Sequence, residues 1–217
     1  ILNSNFHTKN LRVNFVPFFF KFFFIRIIDL IIASSFILIL SPLYLIIVIS
    51  ILLEDGKPIF FKQKRVGKNK IIFTILKFRT MSNDSKRFLG DNLKKNSLQI
   101  YKTTEPNDPR VTKVGKFLRR THLDELPQFF NVINNTMSIV GVRPVTLVEK
   151  NFYDDFDWEN RHLYKPGITG LAQLEKSSDI LNEKIKYDNK WIRDFSILLY
   201  ITIIVRTPLK IIKSNSL

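Results

Sequence analysis

The longest apolar stretch of the chain lies near its N-terminus. Leu30–Leu53 is a run of 24 residues without a charged side chain. As a helix, at about 1.5 Å per residue, it would extend roughly 36 Å, enough to cross a hydrocarbon layer of about 30 Å. Seven phenylalanines between Phe15 and Phe24 precede it, beside Lys21 and Arg26. Aromatic and basic side chains together are typical of the headgroup boundary, so the pattern predicts a helix associated with a membrane.

Three interpretations of this run differ in where its two ends lie. A cleaved signal peptide is disfavoured, because the apolar core exceeds the usual length of about 7–15 residues and no A-x-A exit follows it. A simple spanning anchor would have its excess of basic residues on one side only. Here both flanks are basic, with Lys9, Arg12, Lys21 and Arg26 before the run and Lys57, Lys62, Lys64, Arg65 and Lys68 after it. Symmetric flanks favour a helix that enters and leaves the membrane by one face.

Ser41 and Pro42 lie at the middle of the run, where such a re-entrant helix has to bend. Proline removes an amide donor, and its ring pushes against the carbonyl of the preceding turn. The Ser41 hydroxyl can bond a carbonyl that is freed in this way. A mild kink in a spanning helix is the alternative for this pair alone. Together with the symmetric flanks, the pair favours a re-entrant helix that is broken at Ser41 and Pro42.

The chain after this run is divided into short elements by turn sequences. Ile59–Phe61 and Ile71–Phe78 are predicted to be two strands of a hairpin that turns at Gly67-Lys68-Asn69. An amphipathic helix is predicted to begin near Thr121. The segment ITGLAQ after Pro166-Gly167 is predicted to be a turn and a short strand. These elements predict a small α/β (α+β) domain.

The last apolar stretch, Phe195–Val205, has 11 residues between Arg193 and Arg206 and is too short to span a bilayer. Its apolar residues recur at helical spacing, which leaves open a helix in the core or an amphipathic helix on a membrane surface. We therefore predict three segments: a membrane segment at 1–53, a compact domain at 54–190 and an amphipathic helix at 191–217.

Composition narrows the classes of function. The chain has 34 Lys and Arg against 19 Asp and Glu, a net charge of +15, yet its mean hydropathy is +0.02. Apolar residues make up 45% of the chain, so it can form a core and is not expected to be disordered. It contains no cysteine, which excludes disulfides, thiolate metal sites and cysteine nucleophiles. The excess positive charge keeps a membrane-tethered nucleic-acid-binding protein open as an alternative.

The stretch RVTKVGKFLRRTHLDELPQFFNVI contains the strongest candidate for chemistry, Asp124 and Glu125, directly before Leu126-Pro127. Proline is tolerated in the first helical turn, so both carboxylates are predicted at a helix N-terminus. One interpretation is that Asp124 only caps that helix. However, five cations precede the pair, namely Arg110, Lys113, Lys116, Arg119 and Arg120, and such a combination can hold phosphate. A carboxylate in a phosphate site can ligate Mg²⁺ or attack phosphorus.

Two further basic residues follow predicted strands. Lys77 lies in LKFRTM, and Arg143 lies at the turn that ends SIVGVRP. A half-buried strand with a solvated cation is the alternative interpretation of each.

These motifs carry a resemblance to a known family. LKFRTM, DPRVTKVGKFLRRTHLDELPQFFNVI, MSIVGVRP and YKPGITGLAQ, in this order after an apolar N-terminal segment, resemble the bacterial sugar transferases, also called monotopic polyprenyl-phosphate sugar-1-phosphate transferases or phosphoglycosyl transferases. The resemblance covers about Ile25 to Lys213. It departs from the family pattern at His122, Thr136, Val142 and Glu175, and Val142 stands where the family has a proline in the turn before Arg143.

The resemblance implies an enzyme that transfers a sugar 1-phosphate from a UDP-sugar to undecaprenyl phosphate, which initiates a surface polysaccharide or glycoconjugate. It implies Asp124 as the nucleophile of an aspartyl phosphosugar intermediate, with Glu125 supporting it, and a Mg²⁺ cofactor bound at Asp124 and Glu125. Lys77, Arg119 and Arg143 would bind the phosphates. Ser41 and Pro42 match the family's helix-breaking pair.

The same resemblance implies a location and partners. The enzyme would lie at the bacterial inner membrane with its catalytic domain facing the cytoplasm. Its partners would be the UDP-sugar, undecaprenyl phosphate and membrane lipids, and no nucleic acid, while a homo-oligomer is left open. A catalytically inactive assembly scaffold is a second alternative.

Overall fold

The apolar N-terminal run forms two α-helices. The structure, a computed structural model, describes residues 15–82, 108–175 and 181–214, and the predicted flanking cations Lys9 and Arg12 lie outside these ranges. Helix α1 spans Phe15–Ile39 and α2 spans Ser41–Asp55, so only Leu40 separates them. The Ser41 hydroxyl donates to the Leu38 carbonyl at 2.8 Å. Pro42 lies in the first turn of α2, where its missing amide costs no helical hydrogen bond.

The apolar surface of these helices is unevenly covered by protein. Within the described ranges, one helical stretch, Phe20–Ile39, is long and apolar enough to cross a membrane. In this stretch Ile25 and Ala33 are buried, whereas Leu38 is 76% exposed. On α2, Leu53 is 83% exposed. One face of α1 therefore packs against the domain, and exposed apolar surface extends along the rest of α1, through the junction of the two helices and along α2.

A two-stranded antiparallel sheet follows. Strand β1 spans Phe60–Val66 and β2 spans Ile72–Phe78, with Phe61 opposite Lys77. A 3₁₀ turn at Lys68–Lys70 joins them, and Asn69 adopts a left-handed conformation with φ of 54°. The predicted hairpin and its turn are confirmed, although β1 is longer than predicted and continues to Val66.

The two predicted carboxylates lie between short helices. Helix α3 spans Lys113–Arg120, a 3₁₀ turn spans Leu123–Glu125 and α4 spans Gln128–Ile133. The prediction that a helix begins near Thr121 is wrong, because Thr121 ends α3 and the next α-helix begins seven residues later at Gln128. The left-handed conformation of His122, with φ of 58°, turns the chain away from the axis of α3.

A second, parallel sheet is formed by β3, Ser138–Val140, and β4, Gly167–Thr169. The connection between them contains a 3₁₀ helix, Leu147–Phe152, and helix α5, Asp155–Arg161. Only the first part of ITGLAQ is strand, because Leu171–Glu175 forms helix α6. Gly141 and Gly167 pack backbone against backbone, and a Cβ on Gly167 would lie 2.1 Å from the Gly141 nitrogen.

The last two helices complete the core. Helix α7 spans Leu181–Arg193 and α8 spans Ile197–Ser214. On α8, Tyr200 and Ile203 are buried in the main core with residues of α1, α4 and β3, whereas Leu198 is 77% exposed. One face of this helix thus belongs to the core, and its other face presents apolar side chains. Helices with two small sheets form an α+β arrangement, as predicted; the three predicted segments remain a prediction.

Candidate active site

Glu125 lies between two cations contributed by distant parts of the chain. The Lys77 ammonium donates to Glu125 Oε1 at 2.6 Å, and the Arg143 guanidinium donates to the same oxygen at 3.2 Å. Lys77 Nζ also lies 3.9 Å from Asp124 Oδ2. The fold thus brings together four of the predicted residues, from β2, the 3₁₀ turn and the loop after β3.

Local sequence explains how these side chains are presented. Lys77 precedes the buried Phe78 at the end of β2, so strand alternation directs it to the opposite face of the sheet. Pro127 is the N-cap of α4, which leaves the carboxylates in the turn just before that helix. The Tyr44 hydroxyl of α2 donates to the Leu126 carbonyl at 2.6 Å. This bond connects the carboxylate turn directly to the apolar helices.

Asp124 differs from its neighbour in having no hydrogen bond within the described part of the chain. Its side chain is 13% exposed, and the one ion pair it makes there, with Lys77, is long at 3.9 Å. The interpretation of Asp124 as a helix cap is wrong, because neither the 3₁₀ turn nor α4 has a side-chain cap. Asp124 therefore has lone pairs available for a ligand.

The pKa values of the two carboxyls are shifted in opposite directions. Burial raises the pKa of Asp124, and the attraction of Lys77 offsets this only in part. Burial also works to raise the pKa of Glu125, but the charges and hydrogen bonds of Arg143 and Lys77 outweigh it and bring the pKa down to about 2. Glu125 is thus a fixed anion at neutral pH, and Asp124 is the more basic carboxylate.

Arg119 approaches the pair from α3. Its Nε donates to the Thr80 hydroxyl at 2.9 Å. Burial lowers the pKa of Arg119, while the charges of Asp124 and Asp108 act in the opposite direction. Of the other predicted cations, Arg110 is held by Asp108 at 2.6 Å.

Three residues that support the site have no distinctive sequence pattern. Thr80 orients Arg119, and Tyr44 holds the carboxylate turn. Arg161 is 2% exposed and donates to the Arg143 carbonyl at 2.9 Å. The turn that carries Arg143 is also fixed by a hydrogen bond from the Gly167 amide to the Val142 carbonyl at 2.9 Å, so it is held without a proline at Val142.

One of the two carboxylates, Asp124, has an oxygen available to bind a magnesium ion. Mg²⁺ is usually held by one or two carboxylates, with water and substrate phosphates filling the remaining positions. Asp124 offers an oxygen without a hydrogen bond, whereas Glu125 Oε1 is engaged by two cations. Within the described ranges no group of three His, Asp or Glu side chains could form a cage for a metal. A magnesium ion at this site remains a prediction, and substrate phosphates would have to complete its coordination.

The amino-acid sequence is similar to those of several known bacterial proteins. The chain is 37% identical over 190 residues to the exopolysaccharide production protein ExoY of Sinorhizobium fredii, an alignment that covers 84% of this chain and 82% of that protein. It is 42% identical over 156 residues to the galactosyl transferase CpsE of Streptococcus agalactiae, covering 71% of this chain and 34% of CpsE. It is also 37% identical over 195 residues to the UDP-glucose:undecaprenyl-phosphate glucose-1-phosphate transferase of Klebsiella pneumoniae, covering 86% of this chain and 40% of that protein.

The chain thus spans about a third of the length of CpsE and most of the length of ExoY. The sequence model of the family described as bacterial sugar transferase matches residues 20–214. The match includes both apolar helices from Phe20 onward, the carboxylate pair and the two sheets. The predicted resemblance is confirmed, and the chain belongs to the bacterial sugar transferase family.

Proposed function

We propose that this protein transfers a sugar 1-phosphate from a UDP-sugar to undecaprenyl phosphate and so initiates a surface polysaccharide or glycoconjugate. The Klebsiella relative is named for this reaction with UDP-glucose, and ExoY is named for exopolysaccharide production. The candidate active site supports the proposal, because it combines two carboxylates with cations suited to a diphosphate.

The observation that carries the proposal is the difference between the two adjacent carboxylates. A carboxylate that attacks phosphorus needs an ionised oxygen that is not engaged elsewhere. Asp124 has such an oxygen, and burial makes it more basic than an ordinary aspartate. Glu125 is bound by Lys77 and Arg143. We therefore assign Asp124 as the nucleophile and Glu125 as the anion that holds both cations in place.

The reaction then has two displacement steps. An Asp124 oxygen attacks the phosphorus that bears the sugar, an aspartyl phosphosugar bond forms, and the pyrophosphate bond breaks. UMP leaves with the bonding electron pair, and no proton has to move. An oxygen of undecaprenyl phosphate next attacks the same phosphorus, which releases Asp124 as a carboxylate and forms the lipid diphosphate sugar.

Lys77 and Arg143 stabilise these steps electrostatically. Their charges lie at Glu125, next to the attacking oxygen, where negative charge builds up on the phosphate oxygens. Arg143 is about half exposed, so it can reach a substrate phosphate while keeping its contact with Glu125. Arg119 contributes a third charge from the side of Thr80.

A magnesium ion would be held by Asp124, with Glu125 adding negative charge beside it. When bound, it supplies a positive charge that neutralises the diphosphate and the departing UMP.

The protein is associated with a membrane, and we propose that its apolar helices enter and leave by the cytoplasmic face of the inner membrane. Both helices are bonded to the same domain. Arg26 of α1 donates to the Val132 carbonyl at 2.6 Å. On α2, Glu54 accepts from the Lys113 amide, also at 2.6 Å. Since one domain lies on one side of a bilayer, two such anchors support a helix pair that turns back near Ser41 and Pro42.

Cysteine labelling tests this path. The native chain has no cysteine, so Phe20→Cys and Lys57→Cys each introduce one thiol, before and after the turn. A membrane-impermeant maleimide should label both only when the cytoplasmic face is accessible. Labelling of the two sites from opposite faces would refute the re-entrant path.

The activity is tested by UMP release. Membranes containing the protein are incubated with Mg²⁺ and a panel of UDP-sugars, with and without undecaprenyl phosphate. We expect acceptor-dependent UMP release with at least one sugar and none with Asp124→Asn, which stays in the membrane fraction. Failure of the folded wild type with every UDP-sugar would contradict the proposed activity and favour an inactive scaffold.

A further inference from the structure

A second cluster of charges surrounds a cavity between α1, β3, α7 and α8. The cavity has a volume of about 130 Å³, and its lining includes Phe22, Asp29, Lys68, Lys165, Trp191 and Phe195. A cavity of about 150 Å³ holds a benzene molecule, so this one has room for a small group such as a phosphate.

The lining carries more positive than negative charge. Arg26, Lys68 and Lys165 all contribute to it, and Asp29 is the only acidic residue that lines it in the described part of the chain. The Asp29 carboxylate accepts hydrogen bonds from the Ser138 hydroxyl at 2.7 Å, the Ile139 amide at 2.9 Å and the Tyr200 hydroxyl. It is therefore engaged by neutral donors, and none of the three cations forms an ion pair with it.

The positive charges of Arg26 and Lys68 repel that of Lys165. Burial lowers the pKa of Lys165, and the charge of Arg26 lowers it further. The charge of Lys68 also lowers the pKa of Lys165, whereas the charge of Asp29 raises it. An anion among these side chains would relieve this repulsion.

Trp191 provides a further donor at the cavity. It is 1% exposed, and its indole N–H has no hydrogen-bond partner among the described residues. A buried donor without a partner costs free energy, and it can be satisfied by an acceptor oxygen that enters from outside. Arg26 and Lys165 also donate to protein oxygens, at Val132 and Asn135 respectively. The three positive charges and the unpaired N–H together favour a ligand with several anionic oxygens.

The cavity is separate from the candidate active site. Arg26 donates to the Val132 and Ile133 carbonyls at 2.6 and 2.9 Å, at the C-terminal end of α4. Asp124 and Glu125 precede the N-terminal end of this six-residue helix. At about 1.5 Å per residue, the helix alone separates the two groups by roughly 9 Å. The cavity thus lies at the opposite end of α4 from the carboxylate pair.

Aromatic side chains place the cavity next to apolar surface. The ring of Phe22 stacks with those of Tyr164 and Phe195, at centroid distances of 5.8 and 5.4 Å. The neighbouring Phe23 is 53% exposed, and the ammonium of Lys21 lies 4.0 Å from the Phe195 centroid. Aromatic rings with cations beside exposed apolar side chains are typical of the headgroup level of a membrane.

We propose that this cavity binds the phosphate headgroup of an anionic phospholipid such as phosphatidylglycerol. The cations and the Trp191 N–H bind the phosphate oxygens, and the exposed apolar side chains around Phe23 contact the acyl chains. The site goes beyond the proposed transfer reaction, because this lipid is neither donor nor acceptor. It fixes the height of the domain against the bilayer.

Binding of a short-chain lipid tests the proposal without any sugar nucleotide, so its outcome is independent of the transferase activity. The purified full chain in neutral detergent is titrated with dihexanoyl phosphatidylglycerol, and the dissociation constant is measured from tryptophan fluorescence. Lys68→Gln with Lys165→Gln should weaken binding about 30-fold, since each lysine near an anionic headgroup contributes roughly fivefold. Lys68→Gln alone, at an exposed position, should weaken it about fivefold.

Lys62→Gln with Lys64→Gln is the matched control. These exposed lysines of β1 do not line the cavity, and their loss should change the dissociation constant by less than about twofold. Dihexanoyl phosphatidylcholine and inorganic phosphate should each bind much more weakly than phosphatidylglycerol. The proposal would be overturned if Lys68→Gln, and Lys68→Gln with Lys165→Gln, bound phosphatidylglycerol with the same affinity as the wild type. Phosphatidylcholine binding as tightly would also overturn it, and inorganic phosphate binding as tightly would replace the lipid by a free anion.

Discussion

Lys77 and Glu125, 48 positions apart in the chain, are joined by a hydrogen-bonded ion pair of 2.6 Å. The pair connects the end of β2 to the 3₁₀ turn that carries Asp124. Because Glu125 binds Lys77 closely, the ammonium stays at 3.9 Å from Asp124. At that distance Lys77 attracts the Asp124 charge without occupying its oxygens. Glu125 therefore keeps its neighbour available for the reaction.

The fall in the rate of UMP release at acidic pH should report the protonation of Asp124. Burial raises its pKa above the ordinary value of 3.8, and Lys77 counters that rise. The reactive form is the carboxylate, so the rate should fall on acidification with a midpoint above 3.8. Lys77→Met should lower the rate and move the midpoint to higher pH, because the opposing charge is gone. The measurement is single-turnover UMP release as a function of pH. A midpoint that moves to lower pH in Lys77→Met would contradict this description of the site.

Glu125→Gln should destabilise the protein at neutral pH. The folded-state pKa of Glu125 is depressed from 4.5 to about 2, so its ionised form stabilises the fold at pH values above 4.5. This contribution is lost as the pH falls towards 2. The shift corresponds to at most ~3 kcal/mol. We expect the difference in thermal unfolding midpoint between wild type and variant to be largest near neutral pH and to shrink below pH 4.5.

Glu159→Gln is the control for this stability effect. Glu159 pairs with Lys70 at 2.8 Å, but its side chain is 60% exposed, and water screens such pairs. Its replacement should leave the unfolding midpoint unchanged. Equal effects of the two substitutions, or an effect of Glu125→Gln that grows on acidification, would refute the assignment.

Gly115→Ala should impair the site by moving α3. A Cβ on Gly115 would lie 2.1 Å from the Thr80 carbonyl oxygen, so the helix has to shift away from the segment after β2. The same helix carries Arg119, which is bonded to Thr80. Misplacement by about 1 Å can cost roughly 100-fold in rate, and we expect a loss of at least ~10-fold in UMP release. Lys116→Ala, at the next position and exposed, should keep wild-type activity. Wild-type activity of Gly115→Ala would show that this contact does not position Arg119.

Short-range patterns predicted part of this fold, and what they missed depends on local backbone conformation in one place and on long-range contacts in another. The hairpin follows from apolar strands around Gly67-Lys68-Asn69, where the turn chemistry is local. The helix start was misplaced because the left-handed His122 and the 3₁₀ turn before Pro127 have no hydrophobic periodicity. The position of Asp124 and Glu125 after five cations and before Leu126-Pro127 identified them as candidates. The sequence could not show that only Glu125 forms close ion pairs, because its partners Lys77 and Arg143 come from other elements of the fold.

Trapping of the covalent intermediate tests the central claim most directly. Purified protein is incubated with Mg²⁺ and a UDP-sugar carrying a radiolabel in the sugar, without undecaprenyl phosphate, and the protein is then precipitated. We predict hydroxylamine-sensitive label on the wild type that maps to Asp124 and is discharged by added undecaprenyl phosphate. Asp124→Asn should carry none. Label that persists on Asp124→Asn, or acceptor-dependent turnover by the wild type without any labelled protein, would contradict the assignment of Asp124 as the nucleophile.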